Sequence, residues 1–199
     1  MVGVLALQGD FEAHRQALSQ RGIPTREVRQ PRDLEGVNGL VFPGGESTTM
    51  LKLLAELGLA APLKEAVARG VPVLATCAGV ILLAREVQNP PQPSLGLLDV
   101  AVHRNAYGRQ VASTVATLTV ESPEELGPGP VEGVFIRAPK LVRVGEGVRV
   151  LARRGEDPVL VRQGAILGAT FHPELSPQSP VIELFAKLVG GFRERARSR

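Results

Sequence analysis

The chain has 199 residues, 44% of them hydrophobic, which suffices for one well-filled core and sets a single domain over 1–199 as the expectation. Aromatic residues make up only 4%, with no Trp, and the formal net charge is +3, so neither stacking platforms nor a charge excess points to nucleic acid. A single cysteine excludes an internal disulfide, the first residues carry no secretory pattern, and no apolar run approaches the ~18 residues of a membrane span, so a cytoplasmic protein without nucleic-acid or membrane partners is expected.

In chain order, "VGVLAL" at 2–7 reads as a buried strand that ends at Gln8-Gly9-Asp10. Phe11, His14, Ala17 and Leu18 then follow helical spacing, with Asp10 as the capping residue. "TREV" at 25–28 is a second strand and "GLVFPGG" at 39–45 a third, which stops at Pro43. Met50, Leu53, Leu54 and Leu57 lie at i, i+3, i+4 and i+7 and predict a helix starting after Gly44-Gly45-Glu46-Ser47, with Ser47 in the capping role. A helix over about 60–69 leads to a strand at 71–75 and to another helix after Cys77. This alternation predicts a parallel sheet covered on both faces.

The middle of the chain changes character. "LGLLDVAVHRN", "QVASTVATLTV", "VEGVFIRAP", "GVRVLARR", "PVLVRQG" and "AILGATFHPE" are successive β-like runs, which predict antiparallel strands added on one edge before a final helix near 179–195. "NPPQPSLG" at 89–96 reads as a Pro-rich surface connection. The terminal "GFRERARSR" gathers Arg193, Arg195, Arg197 and Arg199 at a helix end; this basic tail, about 192–199, reads as a frayed terminus whose cations face the negative end of the helix dipole.

Ligands of a parallel α/β sheet collect at the carboxyl ends of its strands, and both Gly44–Ser47 and Cys77 lie at such ends. A tight strand-to-helix turn exposes its central side chain, and a helix N-terminus favours a thiolate, so Cys77 is a candidate nucleophile; from the turn alone, a small buried hydrophobe is the more common case. A cysteine nucleophile commonly needs a histidine as base and a third group to orient it. Of three histidines, His14 reads as a partly exposed structural residue of the first helix and His103 as a surface strand residue. His172 closes an apolar run before Pro173 and Glu174; extended geometry before proline would turn His172 and Glu174 to the same side, where the carboxylate holds the imidazole. Gly44 and Gly45 admit close backbone approach, and the N–H groups of the following helix suit an oxyanion or carboxylate. No Walker lysine, spaced glycine fingerprint or metal-ligand spacing is present.

Taken together, "LQGD" at 7–10, "PGGESTTM" at 43–50, "TCAG" at 76–79, "RNAYGRQ" at 104–110, "FIRAP" at 135–139 and "FHPE" at 171–174 resemble the class I glutamine amidotransferases over about residues 2–189. Within that family the resemblance is to the branch of glutaminase subunits that serve ribose 5-phosphate-dependent pyridoxal 5'-phosphate synthesis. It implies a flavodoxin-like three-layer α/β fold, mainly a parallel central sheet with added antiparallel strands. It further implies that Cys77 attacks L-glutamine to form a γ-glutamyl thioester, with His172 as acid and base and Glu174 orienting it. The backbone N–H groups of Gly45 and Ala78 would form the oxyanion hole. Gly45, Glu46, Ser47, Arg104, Ile136 and Arg137 match glutamine-binding positions, and Gln8 matches a position that orders the oxyanion loop when a partner docks. The implied partner is a (β/α)8-barrel pyridoxal 5'-phosphate synthase subunit in a large hetero-oligomer, which receives the ammonia; no cofactor is implied for this chain itself.

Two positions depart from the wider family pattern: Ala75 replaces a usual Gly two residues before the cysteine, and Ile81 stands where many relatives carry Gln. Ile81 favours the vitamin branch over the nucleotide and anthranilate branches. The rival readings are a glutaminase for another synthase, a non-catalytic flavodoxin-like binding module, and a cysteine hydrolase or redox protein that would act without glutamine.

Overall fold

The computed structural model describes residues 1–104 and 113–198. Residues 105–110 of the "RNAYGRQ" segment lie outside them, as does Arg199. The first half alternates: β1 (Val2–Leu5), α1 (Phe11–Ser19), β2 (Thr25–Val28), β3 (Leu40–Phe42), α2 (Ser47–Glu56), α3 (Ala60–Ala68), β4 (Val73–Thr76) and α4 (Ala78–Leu83). Strands dominate thereafter: β5 (Ala84–Gln88), β6 (Leu98–His103), β7 (Thr114–Val120), the short α5 (Pro123–Leu126), β8 (Val131–Phe135), β9 (Lys140–Val144), β10 (Arg149–Arg154), β11 (Asp157–Gln163) and β12 (Ile166–Ala169). α6 (Pro180–Arg197) closes the chain and carries Arg193, Arg195 and Arg197 of the terminal segment.

Nine strands form one sheet in the order β2-β1-β3-β4-β12-β11-β10-β7-β8. Pairing is parallel from β2 to β12 and antiparallel from β12 to β8. β12 is therefore the hinge between the two halves, and it lies beside β4, which ends at Thr76, just before Cys77. Its burial is complete along Ile166–Ala169, as is that of β1, β3 and β4, which explains their near-continuous apolar sequences.

Alternate residues of these strands feed two cores. Leu40, Phe42, Val73 and Ala75 pack with Met50, Leu54, Leu63 and Leu82 on one face. Val41 and Leu74 pack with Leu18, Ile182, Phe185 and Val189 on the other. Helices α2–α4 thus cover one face and α1 and α6 the other, giving the three layers that the alternation predicts.

A second, three-stranded sheet, β5-β6-β9, departs from the sequence reading, which has the added strands on one edge; the helix expected after Cys77 is present as α4. α4 stops at Leu83 because the returning chain takes its carbonyls: the N–H groups of Leu95 and Leu97 donate to the oxygens of Leu82 and Leu83. The chain then extends into β5, parallel to β6. Leu95 is consequently buried, although the Pro-rich connection around it reads as surface. Among the described residues, no helix is long and apolar enough to cross a membrane.

Two helix starts also differ from expectation. Asp10 occupies the N-cap position of α1, but its side chain makes no capping bond. The cap of α2 is Glu46, not Ser47; its carboxylate accepts the backbone N–H groups of Thr48 and Thr49 at 2.9 and 2.7 Å. A longer side chain reaches the same unpaired donors that a serine would satisfy, and Ser47 is left to turn inward, buried.

Candidate active site

The carboxyl ends of β1, β3 and β4 and the loops after β8 and β12 meet around one cavity of about 360 Å³. Cys77 and His172 line it, together with Ala78 and all six residues assigned to substrate: Gly45, Glu46, Ser47, Arg104, Ile136 and Arg137. Asp10 and Ile81 line it as well.

Cys77 sits between β4 and α4 at φ 48°, ψ −108°, a conformation that non-glycine residues rarely adopt. The strain holds because the turn is anchored on both sides: the Cys77 N–H donates to the Ala169 oxygen at 2.9 Å, and the Val80 N–H donates back to the Cys77 oxygen at 3.1 Å. Gly79 makes the turn possible, since a Cβ there would lie 2.0 Å from the Phe42 carbonyl oxygen of β3. Cys77 is only 7% exposed, and its thiol rests 3.8 Å from the Ile136 oxygen. That oxygen belongs to a loop whose next residue, Arg137, also has positive φ, at 46°. Two strained turns thus face each other across the nucleophile.

His172 follows β12 and is tied to β8 by its N–H, which donates to the Val134 oxygen at 2.8 Å. Its Nδ1 lies 2.7 Å from Glu174 Oε1, so the expected contact is present. Its geometric basis differs: Pro173–Leu175 form a single 3-10 turn rather than an extended run, and that turn folds Glu174 back under the ring. Gly44 fits against the imidazole on the cavity side; a Cβ there would be 2.6 Å from His172 Cε1 and 3.4 Å from Cys77 Cβ.

Burial opposes a charged imidazole at His172, but hydrogen bonds to Cys77 and Glu174 and the charges of both outweigh it, raising its pKa to about 10. Burial likewise opposes the Glu174 carboxylate, yet the electrostatic pull and hydrogen bond of His14 and those of His172 hold it well below the usual carboxylate range. A strongly basic imidazole beside a thiol can take its proton, and a carboxylate ionised at neutral pH fixes which ring nitrogen is free to do so.

His14 is the residue that sequence reasoning misplaces. It is fully buried, with Nε2 3.0 Å from Thr76 Oγ1 and 3.2 Å from Glu174 Oε1. The signal for this is its helical spacing with Ala17 and Leu18, which marks the inward face of α1. His103 is partly buried on β6, where its Nε2 meets Gln88 Oε1 at 2.6 Å, away from the cavity lining.

The recognition side is polar. Arg104 Nη2 donates to Thr48 Oγ1 at 2.9 Å and lies 3.6 Å from Glu46 Oε1. Burial opposes the Glu46 charge, but bonds from Thr49 and Thr48 together prevail and lower its pKa to about 2. Gln8 Oε1 accepts the Glu46 N–H at 2.7 Å and so grips the Gly45–Glu46 turn. Gln92, which the sequence reading leaves in a surface connection, accepts from the Ser47 and Thr48 hydroxyls at 3.3 and 3.4 Å. Among the described residues, one group could offer three ligand atoms to a metal, Asp10, His172 and Glu174. A cation there would compete with the His172–Glu174 bond.

Comparison with known proteins identifies the family. A model described as the SNO glutamine amidotransferase family matches residues 4–190. The chain is 54% identical over 192 residues to a protein of Thermus thermophilus named pyridoxal 5'-phosphate synthase subunit PdxT, covering 96% of this chain and 98% of the relative. A protein of the same name from Deinococcus radiodurans is 50% identical over 194 residues, 95% of this chain and 97% of the other. A crystal structure described as a glutamine amidotransferase superposes with a TM-score of 0.87 at 50% identity, covering 95% of this chain and 98% of that one. At 17% identity, a chain of the PurLQS structure from Thermotoga maritima shares the fold, with a TM-score of 0.72 over 94% of this chain and 96% of its own.

Proposed function

The chain belongs to the SNO glutamine amidotransferase family, and we propose that it is the glutaminase subunit of a pyridoxal 5'-phosphate synthase. The observation that carries this reading is the meeting, in one cavity, of a strained Cys77, a His172 bonded to an ionised Glu174, and a polar wall containing Glu46 and Arg104. A binding module has no use for the first two, and a general thiol hydrolase has no use for the third.

The Cys77 sulfur, its proton held by the His172 imidazole, attacks the side-chain amide carbon of L-glutamine. Charge builds on the former carbonyl oxygen, and the N–H groups of Gly45 and Ala78 receive it. His172 returns the proton to the nitrogen, ammonia leaves, and a γ-glutamyl thioester remains on Cys77. Water, deprotonated by His172, then attacks the thioester and releases glutamate. Glu174 accepts the Nδ1 hydrogen throughout, which keeps Nε2 toward the sulfur and offsets the imidazolium charge.

Arg104 and Arg137 hold the α-carboxylate, for which a guanidinium fork is suited, and Glu46 meets the α-ammonium. Ser47 and Ile136 bound the rest of the substrate. Gln8 fixes the Gly45–Glu46 turn, so its grip on the Glu46 N–H is the control point of the oxyanion hole. The single domain works in the cytoplasm, apart from nucleic acid and membranes. Its ammonia passes to a (β/α)8-barrel synthase subunit in a large hetero-oligomer, where it is consumed instead of being lost to water.

The test is ammonia release from L-glutamine by the purified chain, alone and mixed with the pyridoxal 5'-phosphate synthase subunit. Release that rises sharply in the mixture is expected. Release indifferent to that subunit would overturn the partner assignment, and silence in both samples would overturn the glutaminase reading.

A further inference from the structure

We propose that His14 is a positioning residue of the catalytic relay, a fourth member that holds the Glu174 carboxylate in place from the opposite helix. This rests on the glutaminase reading and adds to it a residue that does not line the cavity. His14 reaches the relay from α1, across a sequence separation of 62 residues from Thr76, and is 0% exposed.

Its Nε2 lies 3.2 Å from Glu174 Oε1, the same oxygen that His172 Nδ1 meets at 2.7 Å. A lone pair turned toward a carboxylate oxygen would be repelled, so this contact assigns the hydrogen to His14 Nε2. The carboxylate oxygen thus meets two imidazoles, hydrogen-bonded to His172 and in close polar contact with His14, and among the described residues Glu174 Oε2 and His14 Nδ1 have no hydrogen-bond partner. The orientation of Glu174 therefore depends on these two contacts to one oxygen.

Thr76 adds the second tie. Its hydroxyl lies 3.0 Å from His14 Nε2, it is fully buried, and it immediately precedes Cys77. His14 thus touches both the strand end that presents the nucleophile and the carboxylate that orients the base. A space-filling core residue needs neither contact. The ionisable groups facing the Glu174 carboxylate, among the described residues, are His14 from α1, His172 from its own turn and Asp10 from the loop before α1.

The test compares His14→Phe, which fills the space without a donor, with His14→Gln, whose amide nitrogen reaches about as far as Nε2. A polar contact to a charged group is worth enough that His14→Phe is expected to lower kcat by about 10- to 100-fold with KM nearly unchanged. His14→Gln should recover most of that loss. In His14→Phe the acid limb of the kcat/KM profile should move to higher pH, because a carboxylate without this donor protonates more readily. Because Cys77 is the only cysteine, its alkylation by iodoacetamide gives a second readout that needs no glutamine, and it should slow in His14→Phe. If wild-type protein released no ammonia, the glutaminase reading would fail while alkylation still reported on His14. Equal loss in both variants with an unmoved pH profile, or an unchanged alkylation rate, would overturn the proposal. If His14→Phe does not fold, His14→Asn, whose amide falls short of Glu174, replaces it with the same expectations.

Discussion

On one side of the cavity, Cys77, His172 and Glu174 are each less than a tenth exposed and are held by strained backbone, close glycine packing and hydrogen bonds to neighbouring strands. On the other, Glu46 and Arg137 are exposed and Arg104 is partly so, and the contacts that hold Glu46 and Arg104 are polar ones at the surface. The difference follows from what each wall does. Bond-making groups must be placed within fractions of an ångström before substrate arrives, and burial against a sheet supplies that rigidity. Groups that capture a charged amino acid must meet it from water, so they stay accessible and tolerate looser placement.

If the walls divide the work in this way, changes on the buried side should act on kcat and changes on the open side on KM. The largest loss belongs to Cys77→Ala, which should lower glutamine hydrolysis by roughly four orders of magnitude while leaving the thermal transition in place; retained turnover would remove the nucleophile. Gly44→Ala comes next, because its methyl group meets the His172 ring at 2.6 Å and must push it aside. A displacement of that kind costs about 100-fold in kcat, and steady-state kinetics showing a change in KM alone would contradict it. Arg104→Ala should raise KM about tenfold with kcat largely kept, the signature of a lost contact made equally in ground and transition states.

The smallest effect is on stability. Glu174 has its pKa lowered from 4.5 to about 2, so the stability it contributes is present above pH 4.5 and fades as pH falls toward 2. His172 is raised from 6.5 to about 10, so its share is complete below pH 6.5 and is lost as pH rises toward 10. The gap in unfolding free energy between wild type and Glu174→Gln should therefore be widest between those limits, at about 1 to 3 kcal/mol, and narrow on both sides. A gap independent of pH in denaturant titrations would show that the pair is not ionised in the folded state.

The same contrast governs how much can be read from the chain alone. The buried strands announce themselves because full burial on both faces demands continuous apolar runs, and "TREV" and the Cys77 junction fall where expected. The motif context also brings together all the residues assigned to the cavity. What escapes depends on contacts between distant segments. The helix after Cys77 ends at Leu83 because Leu95 and Leu97 take its carbonyls, an end that local apolar periodicity does not encode. The cap of α2 passes to Glu46 because a longer carboxylate reaches the same donors. His14 looks structural because its partners, Thr76 and Glu174, are remote in sequence, although its place on the inward face of α1 marks it as buried.

Everything above turns on Cys77 carrying the glutamyl group, and acid-quenched intact-mass analysis of the complex during turnover would reveal that intermediate. A mass gain of one glutamyl group is expected, mapped by peptide analysis to Cys77 and absent from Cys77→Ala. Ammonia release with the adduct on another residue, or with hydrolysis surviving in Cys77→Ala, would contradict it.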